Sequence, residues 1–292
     1  MFKRRPLQSK SEIWMRNIVM SILVIYMVIF LIVPVVMVLM GSLHQWNPLN
    51  GTYKWIGIEN YTRMFSYPTF WQSMFNTVIF CIFVVFFRVI LGLGIAYAVN
   101  SKMTRFKTFF RTVFYMPTVT PLVAVAYVWK IMYNPQFGLI DKIFGLDINW
   151  LYDSAFALPA LMLMTVWKDF GYAVILFLSG LLSLPSDCYE SASIDGANAW
   201  QTFRHITLPL LKPTMLFVVV TSIISYLQAY VPVLVMTKGG PGTSTYLSSY
   251  LVFDQAFKQY NFGYASAISL FILVLTAIFT VISFKAAGSK EN

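Results

Sequence analysis

Six long apolar segments divide this chain of 292 residues and decide what it can fold into. A helix needs about 20 residues to cross the hydrocarbon core of a bilayer, and each segment is long enough. The segments cover residues 17–40, 75–99, 109–133, 155–182, 210–236 and 264–284. A helix satisfies its backbone hydrogen bonds within one segment, which lipid requires. We therefore predict an all-α membrane protein with six transmembrane helices, forming a single domain over residues 1–292.

The composition supports this class independently of the segments. Hydrophobic residues make up 58% of the chain and charged residues only 11%, whereas soluble proteins average about 25% charged. The first segment is longer than the apolar core of a secretory signal and lacks a small-residue cleavage pattern, so we expect it to stay as a helix. Pro117 and Pro121 interrupt the third segment, which neighbouring groups can tolerate in a spanning helix.

Basic residues are unevenly shared between the two sides of the predicted membrane. The richer side carries Lys3, Arg4, Arg5, Lys10, Arg16, Lys102, Arg105, Lys107, Arg111, Arg204, Lys212, Lys285 and Lys290. The other side carries Lys54, Arg63, Lys130, Lys142, Lys238 and Lys258. Because positive residues mark the cytoplasm, we predict that both termini are cytoplasmic. The net charge of +10 is then a topology signal that favours the lipid surface, and we expect no nucleic-acid partner.

A polar, glycine-punctuated stretch lies between the fourth and fifth segments. Asp187 followed by Glu190 resembles a capping box, which predicts the start of a helix that Gly196 then ends. Asn198 and Gln201 can cap a second short helix, whose Trp200 and neighbouring apolar residues share one face. The pattern predicts a helical hairpin over residues 187–207 on the cytoplasmic side.

The aromatic-rich first outer loop, which contains Trp46 and Trp55, suits amphipathic segments at the membrane interface, either as an aromatic belt or as a contact with an external partner. Three charged residues fall inside predicted spans, namely Arg88, Lys168 and Asp169. A charge at the bilayer centre costs about 2.5–3.5 kcal/mol on insertion scales, so each needs a partner. Lys168 and Asp169 are adjacent and should not face each other on a helix, whereas Arg88 and Asp169 can pair across helices. A structural ion pair and a contact with a solute both remain open.

Polar and aromatic residues gather in the fourth and fifth spans. Tyr226 and Tyr230 are four residues apart and should share a helical face with Ser222. Such a face is either polar packing between spans or the wall of a cavity in which rings and hydroxyls bind a polyol.

The hairpin carries a motif that resembles one known family. Its residues are Glu190, Ser191, Ala192, Asp195, Gly196, Ile206, Leu208 and Pro209. Apart from Ser191, which replaces an alanine, they match the signature of permease subunits in binding-protein-dependent ABC importers. The resemblance implies the type I permease fold, and it implies that residues Glu190 to Ala197 couple the permease to an ATPase.

The region from Trp167 to Pro213, with Gly239-Gly240-Pro241 and Gly263-Tyr264-Ala265, resembles the carbohydrate branch of maltose type. In that branch the substrate contacts correspond to Asp169, Tyr172, Tyr226, Leu227 and Tyr230. The resemblance also implies four kinds of partner: a second permease, two copies of an ATP-binding subunit, an external solute-binding protein and a sugar. It places the chain in a bacterial cytoplasmic membrane.

No phosphate-binding loop occurs in the sequence, so ATP and magnesium are expected on the partner subunit and no cofactor or metal on this chain. We expect no catalytic residues, because His44 and His205 fall on opposite sides of the predicted membrane. An ion-coupled secondary transporter remains the alternative. The sugar is open, and it can carry an amino, carboxylate or phosphate group.

Overall fold

A computed structural model describes residues 10–101 and 106–288. The described chain is helical apart from one two-stranded antiparallel sheet. It divides into two compact units, of which the first comprises residues 10–64 and 255–270 and the second the remaining described residues. The single permease domain over residues 1–292 stays a prediction, and the predicted hairpin lies in the second unit.

The first unit begins with a helix that is apolar on every side. Helix α1 (Lys10–Met27), a π-helical turn (Val28–Ile32) and α2 (Val33–Ser42) run on as one apolar stretch from Ile13 to Ser42. None of its most apolar window is buried within the chain. The predicted first segment is therefore helical, and a helix of this kind requires lipid or another protein around it. That the segment is kept rather than removed as a signal stays a prediction.

The aromatic loop that follows forms a β-hairpin, which the sequence analysis did not predict. Strand β1 (His44–Asn47) pairs with β2 (Thr52–Trp55), with Trp46 opposite Tyr53. The His44 ring stacks on Tyr53 with 4.1 Å between ring centroids, so the aromatic side chains cover one another. Asn60 donates hydrogen bonds of 2.8 and 3.0 Å to the carbonyls of Ser42 and His44 and fixes the start of the hairpin.

The remaining helices follow in chain order. They are α3 (Glu59–Ser66), α4 (Pro68–Asn100), α5 (Lys107–Val119), α6 (Leu122–Met132), α7 (Leu139–Phe144), α8 (Ser154–Leu182), α9 (Ser186–Ile194), α10 (Ala199–Thr202), α11 (Leu208–Leu210), α12 (Lys212–Leu227), α13 (Ser248–Phe253) and α14 (Phe262–Gly288). Three further π-helical turns occur at Phe203–Thr207, Val233–Thr237 and Asp254–Lys258. Within the described residues, four apolar helices are long enough to span a membrane, and the number is six if each of two bent helix pairs is one span.

Helix α8 is the most buried of the spanning helices, and it packs through small residues. A Cβ atom at Gly171 would collide with the carbonyl oxygen of Phe114 on α5. On the α4 side, a Cβ at Gly92 would lie only 2.6 Å from the Cβ of Ala173. In lipid, burying apolar surface does not drive helices together, because the lipid is equally apolar. Small residues that let two backbones approach closely are therefore common between helices. These contacts fix α8 against α4 and α5.

Two apolar clusters fill the second unit around α8. One contains Phe80, Leu161, Met164 and Tyr250, and the other is centred on Phe177 with Leu211 and Val218. The clusters hold α4, α8 and α12 together on either side of the charged residues described below.

The third predicted span is a pair of helices bent by 94° rather than one straight helix. Helix α5 continues through Pro117 and ends at Val119, and the following residue, Thr120, is extended with ψ 137°. A proline disfavours the helical conformation of the residue before it, so Pro121 accounts for the bend. Val119, Thr120 and Pro121 are exposed at the break, so the described part of the chain does not cover it.

The fifth predicted span also ends earlier than expected. Helix α12 stops at Leu227, and a short irregular stretch precedes the π-helical turn that begins at Val233. Pro232 lacks an N–H and restricts the residue before it, which explains why no continuous helix reaches Met236. The expectation of one helix over residues 210–236 was therefore wrong beyond Leu227.

We predict that Gly171→Ala lowers the thermal stability of the purified protein, because the added methyl group forces α8 away from α5. Overpacking of this kind typically costs about 1–3 kcal/mol. Gly94→Ala is the matched control, since nothing lies within 4 Å of a Cβ at that position of α4. That variant should be neutral or more stable, because alanine is favoured over glycine in helices by about 1 kcal/mol. Equal melting temperatures for the two variants would contradict the close contact.

Candidate functional site

Arg88 of α4 is buried between the spanning helices, with 6% of its surface exposed. Its Nη1 donates hydrogen bonds to the Ser222 hydroxyl at 3.0 Å and to the Tyr226 hydroxyl at 3.2 Å. Ser222 and Tyr226 are one turn apart on α12, so both hydroxyls reach the same guanidinium. The arginine therefore joins α4 to α12.

The Tyr226 hydroxyl in turn connects Arg88 to Asp169 of α8. It accepts from Arg88 and donates to Asp169 Oδ2 at 3.1 Å. The predicted pairing of Arg88 with Asp169 therefore occurs through a tyrosine rather than directly. The buried Tyr226 hydroxyl both accepts and donates a hydrogen bond. It therefore links three helices, α4, α8 and α12.

Lys168 forms an ion pair with its neighbour Asp169, with 3.2 Å between Nζ and Oδ1. The expectation that these adjacent residues would not face each other was wrong, because the flexible lysine stem lets Nζ turn towards the carboxylate. Nζ also donates to the carbonyl oxygen of Thr118 at 3.3 Å, and the Thr118 hydroxyl donates to the Lys168 carbonyl at 3.0 Å. The ion pair is thereby anchored to α5.

We call Arg88, Lys168, Asp169, Tyr172, Ser222 and Tyr226 the charge cluster. The guanidinium carbon of Arg88 lies 5.5 Å from the ring centre of Tyr172 and 5.7 Å from that of Tyr226, which adds attraction between cation and ring. Asp169 and Tyr172 reach the surface, with a quarter of the Asp169 side chain and 37% of Tyr172 exposed. The cluster is thus buried at Arg88 and has an accessible edge at Asp169 and Tyr172.

The other two residues predicted to contact substrate lie elsewhere. Leu227 is buried and lines an apolar groove with Val78 and Phe279, so its side chain does not join the charge cluster. Tyr230 lies beyond the end of α12 and stacks on Phe253, with 5.9 Å between ring centroids. The premise that Tyr226 and Tyr230 share one helical face was wrong, because the helix ends between them.

The hairpin predicted over residues 187–207 is present. Helix α9 ends in a left-handed Gly196 with φ +74°, where the amide of Ala197 bonds to the Ala192 carbonyl at 2.9 Å. This arrangement is a Schellman cap, which favours glycine at that position. Asn198 and Gln201 form the predicted capping box at the start of α10. The capping box predicted at Asp187 was wrong, because α9 begins at Ser186 and Pro185 provides no side-chain cap.

The hairpin presents both charged and apolar residues to its surroundings. Glu190, Ser191, Asp195 and Gly196 are exposed and Ala197 is half-buried, whereas Ala192 is only 6% exposed and packs inside the chain. The most exposed apolar residue is Ile194 at 86%, with Trp200 at 65%. Our sequence analysis missed Ile194, although an isolated large apolar residue among polar ones on a short helix was a visible signal.

The two arms of the hairpin are tied to each other and to the spanning helices. The Tyr189 hydroxyl lies 3.0 Å from the Thr207 hydroxyl, which joins α9 to the start of α11. Phe203 meets the ring of Tyr97 on α4 edge-on, with 4.9 Å between centroids. The hairpin is therefore attached to α4 and to the chain that leads into α12.

Comparison with known proteins places this architecture in a family. The model described as "Binding-protein-dependent transport system inner membrane component" matches residues 88–286, which contain both the charge cluster and the hairpin. The chain belongs to this family. The permease is 34% identical over 271 residues to the trehalose/maltose transport system permease protein MalF of Thermococcus litoralis, covering 90% of each chain. It is 31% identical over 272 residues to the lactose transport system permease protein LacF of Rhizobium radiobacter, again covering 90% of each.

The fold of the permease has a close structural counterpart. A crystal structure of a bacterial ABC transporter involved in the import of the acidic polysaccharide alginate superposes with a TM-score of 0.85, covering 96% of each chain at 21% identity. At this identity the match concerns the fold alone. It confirms the predicted ABC importer permease fold, and the permease is a multi-pass membrane protein.

We predict that Tyr226→Phe destabilises the permease, because loss of the hydroxyl separates Arg88 from Asp169 and leaves polar groups unpaired in the core. Such losses typically cost about 1–3 kcal/mol. Tyr230→Phe is the control, since its ring stacks on Phe253 and the change preserves that contact. Thermal unfolding of the purified variants measures the difference. A Tyr226→Phe protein as stable as the Tyr230→Phe protein would show that the hydroxyl link is unimportant.

Proposed function

We propose that this chain is the transmembrane permease subunit of an ATP-driven importer for a sugar, either an oligosaccharide or a modified sugar. The family match carries the importer class, and the names of similar chains support a sugar. Besides the trehalose/maltose and lactose permeases, the chain is 31% identical over 273 residues to the diacetylchitobiose uptake system permease protein NgcF of Streptomyces coelicolor. An external solute-binding protein would deliver the sugar.

We place the substrate site at the accessible edge of the charge cluster. Asp169, Tyr172 and Ser179 recur at helical spacing along α8, and Ser225 and Gln228 are exposed at the end of α12. Hydroxyls, an amide and a carboxylate on neighbouring helices, with an aromatic ring among them, suit a polyol. In this arrangement Tyr226 positions the cluster, Tyr230 extends the surface, and Leu227 supports both from the apolar core.

We propose that the hairpin is cytoplasmic and docks onto an ATPase subunit. The excess of basic residues on the same side supports this orientation, with both termini in the cytoplasm of a bacterial cell. Exposed Glu190 and Asp195 offer charge to a basic partner, and Ile194 and Trp200 offer the apolar anchors that usually dominate binding energy. Two ATPase copies, which hold ATP and magnesium, and a second permease would complete the transporter.

The mechanism follows from the way in which the hairpin is anchored. Movement of the ATPase on binding ATP would push the hairpin, and the contacts of Tyr189 and Phe203 would pass that displacement to α12 and α4. Arg88 and Tyr226 lie on those two helices, so the same displacement would alter the substrate site. Access would then alternate between the two sides of the membrane.

Reconstitution tests the proposal. The permease purified with its second permease, its ATPase and its binding protein should import sugar into liposomes only when ATP is enclosed with the ATPase. Omission of the ATPase should abolish uptake. Uptake by this chain without an ATP-hydrolysing partner, driven by an ion gradient, would instead identify a secondary transporter.

We predict that Gly196→Asp uncouples ATP hydrolysis from uptake by weakening ATPase docking. The substitution strains the left-handed backbone and places a charge at the proposed interface, where unpaired charge is costly. Gly145→Asp is a matched control, because Gly145 also has positive φ, at +64°, and an added Cβ meets nothing within 4 Å at either position. The two variants therefore share the strain and the new charge but differ in location.

Co-purification of the ATPase and uptake per ATP hydrolysed measure the outcome. The Gly196 variant should lose most of both, and the Gly145 variant should retain them. Affinity of the binding protein for sugar should not change in either. Equal loss in both variants would mean that backbone strain, rather than a docking surface, is responsible.

A further inference from the structure

We propose that the substrate carries a carboxylate, as a uronic acid does, and that Arg88 recognises it. This inference rests on the proposed sugar importer and specifies the substrate class of the same site. It starts from the charge of the cluster. Across the spanning helices that the structure describes, Asp169 is the only acidic residue, whereas the cluster contains two cations, Arg88 and Lys168.

The single acid is already engaged on both oxygens. Oδ1 of Asp169 pairs with Lys168 at 3.2 Å, and Oδ2 accepts from Tyr226 at 3.1 Å. An amino group on the substrate would therefore meet an acid whose charge Lys168 already neutralises. The cluster therefore has an unbalanced positive charge, which favours an anion over an amine.

Arg88 is the side chain that can still donate a hydrogen bond to a substrate. Its Nη1 donates only to two neutral hydroxyls, and its buried Nε has no hydrogen-bond partner. The acid of the cluster, Asp169, pairs with Lys168 and is connected to Arg88 through the Tyr226 hydroxyl. A guanidinium has a rigid planar arrangement of donors that matches a carboxylate. The structure thus holds a pre-positioned donor without its acceptor.

Tyr172 connects this donor to the accessible edge. Its ring centre is 5.5 Å from the guanidinium carbon, yet more than a third of the residue is exposed. Rotation of this side chain would open a path from the surface to Arg88, and the ring would then be available to stack on a sugar. The exposed carboxylate of Asp169 would accept hydrogen bonds from sugar hydroxyls beside it.

The size of the charge distinguishes a carboxylate from a phosphate. The cluster has one excess positive charge, which a carboxylate neutralises. A phosphate monoester carries about −1.5 to −2 at neutral pH and would leave negative charge in the membrane. We therefore expect sugar phosphates to bind less well than uronates.

Direct binding to the purified complex of the two permeases and the ATPase tests the inference without the selectivity of the binding protein. Saturation-transfer NMR would compare matched pairs, namely glucuronate with glucose, galacturonate with galactose, and mannuronate with mannose. Glucosamine and glucose 6-phosphate are included to test binding of an amine and of a phosphate. At low salt we expect at least one uronate to bind about tenfold or more tightly than its neutral parent. The preference should shrink as salt rises.

Variants assign the preference to Arg88. Arg88→Gln should abolish the preference for the uronate, Arg88→Lys should retain part of it, and Asp169→Asn should preserve or increase it. Lys130→Gln is the control for loss of a cation outside the cluster, since Lys130 bonds to the Val235 carbonyl, and it should leave the ratio unchanged. If the Arg88→Gln complex does not assemble, the preference for the uronate over its neutral sugar is compared in the wild type, Arg88→Lys and Asp169→Asn. These three proteins then test the inference.

Several results would overturn the inference. They are equal binding of acids and neutral sugars, tighter binding of glucosamine or glucose 6-phosphate, no binding of any uronate, and an unchanged preference in an assembled Arg88→Gln complex. The proposed function is tested separately by ATP-driven uptake with the loaded binding protein. If a neutral sugar is imported in that assay, the importer stands and only the carboxylate assignment fails.

Discussion

The contact between the backbones of α8 and α5 at Gly171 positions everything else in the second unit. Because Gly171 allows the Phe114 carbonyl to approach, Thr118 lies beside Lys168 one turn away, and the two residues bond to each other in both directions. On another side of α8, Gly92 meets Ala173 closely enough to bring Arg88 towards the same region. In lipid, helices gain little from burying apolar surface against each other, so close packing and polar links determine their arrangement.

The charge cluster supplies the polar links between these helices. Water is scarce between these helices, so an unpaired charge is expensive and a hydrogen bond is strong. Tyr226 satisfies Arg88 and Asp169 together, and Lys168 neutralises the acid. The remaining positive charge lies on the buried Arg88, beside the partly exposed Tyr172.

Two of the predicted spans contain a break, whereas α4 and α8 are continuous helices. Pro121 bends the third span, and Pro232 ends the helical path of the fifth beyond Tyr226, while α4 and α8 run without interruption beside them. The hairpin is attached to both kinds of element, through Thr207 at the start of α11 and through Tyr97 on α4. In the proposed mechanism, a displacement of the hairpin would reach α4 and α12, and α12 follows a 63° bend and ends at Leu227.

The sequence by itself determined that the chain crosses a membrane, roughly where its spans lie, where a polar hairpin interrupts them and how Asn198 and Gln201 cap it. Those features depend on runs of apolar residues and on local hydrogen bonds, both of which the order of residues specifies. Only the tertiary structure decided that Tyr226 bridges Arg88 and Asp169, that Leu227 faces the apolar core and that Ala192 is buried. A helix that is apolar on nearly every side has no polar face to show its orientation, so packing between helices decides which side chains meet.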